Sequence, residues 1–317
     1  MGWINMEVLA VTCSDVHLTL TAPISRSNEP DWLEAQGRVL DQVKEIADKH
    51  QVPVIYAGDI FHKNNAPPEL INWAIGRLPW GYAVPGQHDL PHHVYDDVRK
   101  SAYWTLVEVG NIVDLEWNEV QVEEHSDYKL ALYGFPWGKD IRYIDHDIPT
   151  GADLYNVAVI HKYIWVAGKT FVGAPEEKKL SAYKKELRGF DVATFGDNHK
   201  GFTGVADDCK VINNGCLIPR RADELNYEPF VGLICLDEDG YVCVSTEKLD
   251  TSQDLWSLDE SMSADAELIK EDMGRFLKEL KSLNSDEYNF KDAVTHFLAT
   301  NKVSEGVKGI LLDVLED

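Results

Sequence analysis

Val52-Pro53-Val54-Ile55-Tyr56-Ala57-Gly58-Asp59-Ile60-Phe61-His62 is the stretch that sets the fold class of this chain. Its apolar run, Val52–Ala57, is typical of a strand buried on both faces, and a carboxylate and an imidazole follow directly. The same order occurs at four other places. These are Val8–Thr12 before Asp15-Val16-His17, Tyr82–Val84 before Gly86-Gln87-His88-Asp89, Val157–Ile160 before His161, and Val192–Phe195 before Gly196-Asp197-Asn198-His199.

Helical patterns separate these runs. Asp31–Lys49 carries apolar residues at helical spacing, and Pro67-Pro68 opens a second helix. Later segments such as Lys129–Tyr133 favour strands, and Phe230–Leu236 with Tyr241–Ser245 predicts a hairpin. The alternation predicts a layered α/β fold with a mixed sheet or two facing sheets. Because loops at the carboxyl ends of such strands converge on one crevice, the five polar patches should meet there.

The side chains in these patches are those of a two-metal phosphoesterase site. Hydrolysis of a phosphodiester needs two cations about 3.5 to 4 Å apart, which lower the pKa of a shared water and stabilise charge on the phosphoryl oxygens. Asp59 is our candidate for the bridging carboxylate. The remaining candidates divide into Asp15, His17 and His199 for metal 1, and Gln87, His161 and Asp197 for metal 2.

Taken in order, the motifs resemble those of the calcineurin-like metallophosphoesterase superfamily over residues 6–245. Gly58–His62 with Asn64–Pro68, and Gly86–Pro91, look most like the SbcD-type nuclease subunits that cooperate with an SMC-like ATPase in double-strand-break processing. Asn214-Gly215 and Arg220–Glu224 also resemble the closing segment of that family. The resemblance implies a layered fold of mixed β-sheets flanked by helices, and a metal-dependent DNA nuclease activity.

The resemblance also implies roles for individual residues. His88 looks like the family histidine that protonates the leaving oxygen or stabilises the transition state, a task suited to imidazole. His62 looks like the residue that seats a DNA phosphate, and Asp89 would orient His88. Arg220 and Arg221 are candidates for substrate binding, although a solvated loop explains this pair as well.

Two residues depart from the family pattern, and both fall on metal 2. Gln87 replaces an asparagine and offers the same amide oxygen on a longer side chain, whereas Asp197 replaces a histidine with an anionic oxygen donor. The second site should therefore be harder and favour Mn²⁺ most, or Mg²⁺. The alternative is that metal 2 binds weakly or not at all.

The net charge bears on the substrate. The chain of 317 residues has 30 Lys and Arg against 54 Asp and Glu, a formal charge of −24. Proteins that grip duplex DNA usually show a basic surface, so a partner would supply much of the grip here. Two other readings stay open, a phosphoesterase for small phosphodiesters, nucleotides or phosphoproteins, and a catalytically weak scaffold with a degenerate second metal site.

Domain organisation follows from changes in composition. Residues 1–249 should form the phosphoesterase domain, 250–265 an acidic linker, and 266–317 a small helical region that could dock the SMC-like ATPase. We see neither a secretory signal nor an apolar run long enough to cross a membrane, which predicts a cytoplasmic protein. The five scattered cysteines are expected as reduced, buried thiols. A homodimer stays open.

Overall fold

The computed structural model describes residues 6–117, 119–125, 127–141, 153–171 and 173–257. These residues contain three α-helices, α1 (Trp32–His50), α2 (Pro68–Arg77) and α3 (Ala102–Glu108). The strands among them are β1 (Glu7–Cys13), β2 (Val54–Tyr56), β3 (Gly81–Ala83), β4 (Ile112–Asp114), β5 (Val120–Glu124), β6 (Lys129–Phe135), β7 (Leu154–His161), β8 (Val192–Gly196), β9 (Phe202–Ala206), β10 (Cys209–Asn213), β11 (Phe230–Leu236) and β12 (Val242–Lys248).

The strands form two six-stranded mixed sheets. In the order β12-β11-β1-β2-β3-β4, β1 to β4 pair in parallel and the β11–β12 hairpin pairs antiparallel. In the order β5-β6-β7-β8-β10-β9, the four central strands are parallel and the edge strands antiparallel. The predicted α/β fold is confirmed, and it is the two-sheet form.

Alternation along the strands divides the core into layers. Leu130 and Leu132 of β6 pack with Leu9 and Ile55 between the sheets, while Tyr133 lies in a separate cluster on the outer face. The helices cover the sheet that contains β1 to β4. Their buried residues form a third cluster with residues of that sheet. Each fully buried aliphatic side chain stabilises the fold by about 1.5–3 kcal/mol relative to exposure. The packed sandwich thus provides a rigid support for the edge at which the polar patches lie.

The first two helices begin as predicted. The Asp31 side chain caps α1 by accepting a hydrogen bond from Glu34 N at 3.0 Å. Pro67 and Pro68 start α2, where the missing amide of a proline costs nothing. The basic residues Lys178, Lys179, Lys184, Lys185 and Arg188 suggest a solvated helix after Pro175. This prediction is wrong, because the stretch forms 3₁₀ turns at Glu176–Lys178 and Leu180–Tyr183. Burial of Leu180 and Tyr183 against the second sheet decides this conformation.

The start of the expected linker packs against the domain. Arg26, only 1% exposed, forms ion pairs with Glu29 at 2.6 Å and with Asp254 at 3.0 Å, and its guanidinium lies 4.9 Å from the Trp256 ring. Residues 250–257 are therefore seated near α1. The rest of the linker and the helical region expected at 266–317 lie outside the described residues.

All five cysteines are free, and four of them are buried. Among the described residues, no helix is both long enough and apolar enough to cross a membrane.

Candidate metal centre

The seven predicted metal ligands lie at one edge of the sandwich, because each lies at the carboxyl end of a strand or shortly after it. Asp15 and His17 come after β1, Asp59 after β2 and Gln87 after β3. His161 is the last residue of β7, and Asp197 and His199 follow β8. The two sheets thus contribute candidate ligands from opposite sides of the site. This agrees with the prediction from the recurring order of an apolar strand followed by polar residues.

The backbone at this edge adopts a conformation that L-residues rarely use. Asp15, His17, Asp59 and Asp197 all have positive φ, at 51°, 50°, 55° and 80°. Such left-handed backbone costs energy and concentrates at functional sites. Gly58 is required by close approach, since a Cβ there would lie 2.1 Å from His161 Nδ1. The loops are therefore shaped to aim side chains inward.

Asp15, His17 and His199 form the first cluster. The Nε2 atoms of the two histidines lie 3.2 Å apart, and Asp15 Oδ1 is 3.7 Å from His199 Nε2 and 3.9 Å from His17 Nε2. Burial raises the pKa of Asp15 to about 6, against the opposing charges of His199 and His161. Burial lowers the pKa of His17, so this ring is neutral and offers a lone pair. The atoms converge as ligands of one cation would.

Asp59 lies between the two clusters. Its Oδ2 is 3.8 Å from His17 Nε2 and 3.4 Å from His161 Nε2, and it is buried without a hydrogen-bond partner among the described residues. Its Oδ1 accepts from His88 N at 2.9 Å. Although burial opposes ionisation, the charges of His161 and His17 hold the pKa of Asp59 well below its usual range. An anionic oxygen aimed at both clusters is the geometry of a bridging ligand.

The second cluster joins His161, Gln87 and Asp197. Gln87 Oε1 lies 2.7 Å from His161 Nε2, and Gln87 Nε2 donates to Asp197 Oδ1 at 2.9 Å. His161 Nδ1 donates to Ala57 O at 2.6 Å, which directs Nε2 toward Asp59. Burial alone would lower the pKa of His161, but Asp59 outweighs it and raises the pKa to about 10. The Gln87 side chain thus places its amide oxygen against His161 and its amide nitrogen against Asp197.

These residues fit divalent cations. An orphaned buried carboxylate oxygen and two facing imidazole nitrogens are costly when nothing lies between them. Asp15 with His17 and His199, and Asp15 with Asp59 and His161, each bring three donor atoms within 4.8 Å of one another. One cation in each group would satisfy the donors. Asp15 belongs to both groups, and Asp59 Oδ2 of the second group also faces His17 of the first.

His62 and His88 stack beside this centre, with ring centroids 5.2 Å apart and 21° between planes. His88 Nδ1 donates to His62 O at 2.9 Å, which leaves Nε2 for the cleft. Burial, then Arg220, lowers the pKa of His62 to about 4, so this ring is neutral at pH 7. With His17, the two rings form a third group whose nitrogens lie within 4.8 Å.

Asp89 makes different contacts from those expected. Its carboxylate accepts from Ile60 N, Phe61 N and Gly86 N at 3.2, 2.9 and 3.0 Å. The partner that orients the His88 ring is therefore the His62 carbonyl oxygen, whereas Asp89 ties the loop after β2 to the loop after β3. The three backbone donors oppose burial, but burial dominates and raises the pKa of Asp89 to about 7.

Arg220 and Arg221 both line the cleft, in different surroundings. Arg220 Nη1 donates to His17 O at 3.1 Å, and its side chain is largely enclosed. Arg221 is 65% exposed and pairs with Asp223 at 3.7 Å. Arg220 thus touches the backbone of a predicted metal ligand, and Arg221 lies at the rim.

The sequence reasoning missed Glu224 as a site residue. Its Oε1 lies 2.9 Å from His199 Nδ1, and its Oε2 accepts from Arg220 N and Arg221 N at 2.9 and 3.0 Å. This buried carboxylate therefore fixes the His199 ring. The available signal was the closing segment Arg220–Glu224, but nothing in the sequence relates it to His199.

The cleft over the centre has a volume of about 590 Å³. His17, His62, His88 and His199 line it together with Lys200 and both arginines. The calcineurin-like phosphoesterase family model matches residues 10–201, which is more than half of the chain. The chain belongs to the calcineurin-like phosphoesterase family.

Membership of this family of divalent-metal hydrolases confirms the coarser part of the sequence prediction, a metallophosphoesterase. The described residues also contain groups that could hold a metal ion. Several solved structures resemble this calcineurin-like phosphoesterase at low identity. A putative 5'-nucleotidase from Staphylococcus aureus is 16% identical with a TM-score of 0.45, over 80% of this chain and 56% of that one.

An archaeal phosphodiesterase is 16% identical with a TM-score of 0.35, over 76% of this chain and 99% of that one. Vacuolar Protein Sorting 29 from Cryptosporidium parvum is 12% identical with a TM-score of 0.35, over 78% and 100%. This chain spans 56% of the S. aureus protein and 60% of the Termus thermophilus thiohydrolase SoxB. The comparison with curated protein sequences found no match.

Proposed function

We propose that this calcineurin-like phosphoesterase is a metal-dependent nuclease of the SbcD type, which hydrolyses DNA phosphodiester bonds. The observation that carries the proposal is the position of His62, His88 and Arg220 around one cleft beside the candidate metal centre. A monoanionic diester needs charge stabilisation and a proton for its leaving oxygen. These three side chains would supply them.

The chain divides this work among its residues. Asp59 holds the two ligand clusters together, and two divalent cations bound there would polarise the phosphoryl oxygens and activate water. His88, whose Nδ1 is fixed by His62 O, would deliver a proton from Nε2 to the leaving oxygen. Neutral His62 and charged Arg220 would hold the phosphate from one side.

The proposed metal is Mn²⁺, with Mg²⁺ as the second choice. Asp15 and Asp59 offer oxygen donors alongside the histidines, and Gln87 and Asp197, which contact each other beside His161, would add an amide and a carboxylate oxygen. Oxygen-rich ligand sets favour these hard cations over softer metals. Asp197 in the place of a histidine moves the second cluster further in that direction.

We also propose an SMC-like ATPase as the partner, docked on the region 266–317 by sequence pattern, and a cytoplasmic location. The free, mostly buried cysteines support a reducing compartment. Although the chain has a charge of −24, Lys200, Arg220 and Arg221 line the described cleft, where they would meet DNA directly. A partner that contributes basic surface would make up the difference.

The test is cleavage of end-labelled single- and double-stranded DNA by the purified protein with Mn²⁺, Mg²⁺ or EDTA. We expect cutting with Mn²⁺, none with EDTA, and a loss of about 10²–10⁴-fold in His88→Ala. His50→Ala is the matched control, since His50 ends α1 at the opposite end of the sheet and should retain full activity.

The other readings have distinct outcomes in the same assay. Hydrolysis of nucleotides or small phosphodiesters without DNA cleavage would replace the nuclease with a small-substrate phosphoesterase. Hydrolysis of a phosphopeptide but of no other substrate would identify the protein as a phosphoprotein phosphatase. If the protein binds metal but hydrolyses none of these substrates, it is a catalytically weak scaffold.

A further inference from the structure

The segment after His161 forms a wall of the cleft that carries two aromatic rings. Tyr163 and Phe171 both line the cleft that contains Asp197 and His199, and their ring centroids lie 5.4 Å apart at 52°. Phe171 is 53% exposed, whereas Tyr163 is partly buried. The outer ring therefore presents apolar surface to a cleft otherwise lined mainly by polar side chains.

Hydrogen bonds fix this wall to the strand end that carries candidate metal ligands. Asn198 Nδ2 donates to Ile164 O at 2.7 Å and to Lys169 O at 3.0 Å. Lys200 Nζ donates to Thr170 O at 2.6 Å, directly before Phe171. Asn198 and Lys200 flank His199 in sequence, so the aromatic wall is held in register with the metal centre.

The lower ring is tied to the same segment. Tyr163 Oη and Thr170 Oγ1 lie 3.1 Å apart, which closes the stretch 163–170 into a short loop. This bond holds Tyr163 beneath Phe171 and reduces the freedom of the outer ring. A preorganised aromatic surface loses little conformational entropy when a planar group stacks on it.

A nucleobase is the planar group that this surface suits. Every base has a π-face, so aromatic platforms bind bases with little sequence preference. Lys200 lies next to the platform and Arg220 and Arg221 also line the cleft, where they could meet the phosphates on either side of such a base. A phosphorylated serine or threonine of a protein, which has no planar ring, would leave the exposed face of Phe171 unused.

We propose that Phe171, supported by Tyr163, stacks on a base of the substrate next to the bond that is cut. This inference rests on the proposed function and narrows it to substrates that contain a nucleobase. It makes Phe171 a binding residue that decides the substrate class, while hydrolysis itself stays with the metal centre.

The kinetic test compares a DNA oligonucleotide with one that carries tetrahydrofuran abasic residues on both sides of the cut bond. Phe171→Leu should lower kcat/KM on the normal substrate by about 10- to 100-fold and change it less than about twofold on the abasic one. Phe171→Trp should restore most of the activity. Tyr241→Ala, which removes a side chain 71% exposed on the hairpin, is the matched control.

A binding test reads stacking without turnover. A 2-aminopurine nucleotide monophosphate should lose fluorescence when titrated with His88→Ala protein and Mn²⁺, and the loss should be smaller in His88→Ala/Phe171→Leu. Equal quenching in the two proteins, or an equal effect of Phe171→Leu on both oligonucleotides, would overturn the stacking proposal. Absence of DNA cleavage by the wild type would overturn the nuclease proposal, and the quenching experiment would then still decide on stacking.

Discussion

Glu224 Oε1 accepts a hydrogen bond from His199 Nδ1 at a distance of 2.9 Å. Because the carboxylate is an acceptor, Nδ1 carries the proton and Nε2 is free to face His17 and Asp15. The second oxygen of Glu224 is occupied by the amides of Arg220 and Arg221. A loop late in the chain therefore sets the tautomer of His199, a candidate metal ligand that follows β8.

Replacement of Glu224 should weaken the first metal site without unfolding the protein. In Glu224→Gln the new amide cannot accept hydrogen bonds from His199 and from two backbone amides at once. We therefore expect the affinity of the first metal site to fall about 10- to 100-fold, while that of the second is unchanged. Calorimetric titration with Mn²⁺ measures this. Glu228→Gln, which alters an exposed pair with Lys248, is the control, and equal affinities in the two variants would refute the role.

Asp59→Asn should abolish hydrolysis and weaken the binding of both metal ions. The substitution removes the anionic Oδ2 that lies between His17 and His161, while Oδ1 can still accept from His88 N. Wild-type protein should show a melting temperature that rises with Mn²⁺ concentration, since a ligand that binds only the folded state stabilises it. The variant should fold by circular dichroism and lose that rise; retained hydrolysis would exclude Asp59 as the bridge.

Asp197→Asn should affect only the second cluster. Asp197 contacts Gln87 but lies outside the group formed by Asp15, His17 and His199. Loss of its charge should reduce the bound Mn²⁺ from two ions to one at concentrations that fill both sites in the wild type, as read by metal analysis after gel filtration. If the wild type itself binds one ion, the second site is degenerate, as the sequence left open.

Asp114, the last residue of β4, should make the stability of the protein depend on pH. Burial raises its pKa to about 6, although the Tyr103 hydroxyl hydrogen-bonds to the carboxylate and opposes this. Between about pH 4 and pH 6 the unfolded chain loses the proton that the folded protein keeps, so this contribution to stability falls as pH rises.

Asp114→Asn should remove that loss. The variant should gain stability relative to wild type between pH 4 and 6, by about 1–2 kcal/mol after solvent screening, and hold the gain at pH 7. Urea unfolding at each pH measures the difference. Asp239→Asn, in the exposed hairpin turn, is the control, and a difference that does not change with pH would contradict the assignment.

The helices and strands could be predicted because each depends mainly on residues that are close together in sequence. Asp31 before an amphipathic stretch predicts the start of α1, and short apolar runs predict the buried strands, since burial pattern and capping act over a few residues. The lysine-rich stretch after Pro175 was different: Leu180 and Tyr183 pack on the second sheet, and this tertiary burial overrode the helical interpretation.

Sequence by itself determined the candidate ligands, from Asp15 to His199, and their place at the strand ends, because the loop at the carboxyl end of a strand directly follows that strand in sequence. Only the tertiary structure decided which atoms meet. It placed Glu224 on His199, gave the His88 ring to the His62 carbonyl oxygen instead of to Asp89, and fixed Phe171 beside the centre through Asn198 and Lys200. Such contacts join residues from separate segments and depend on how two sheets pack, which no local pattern encodes.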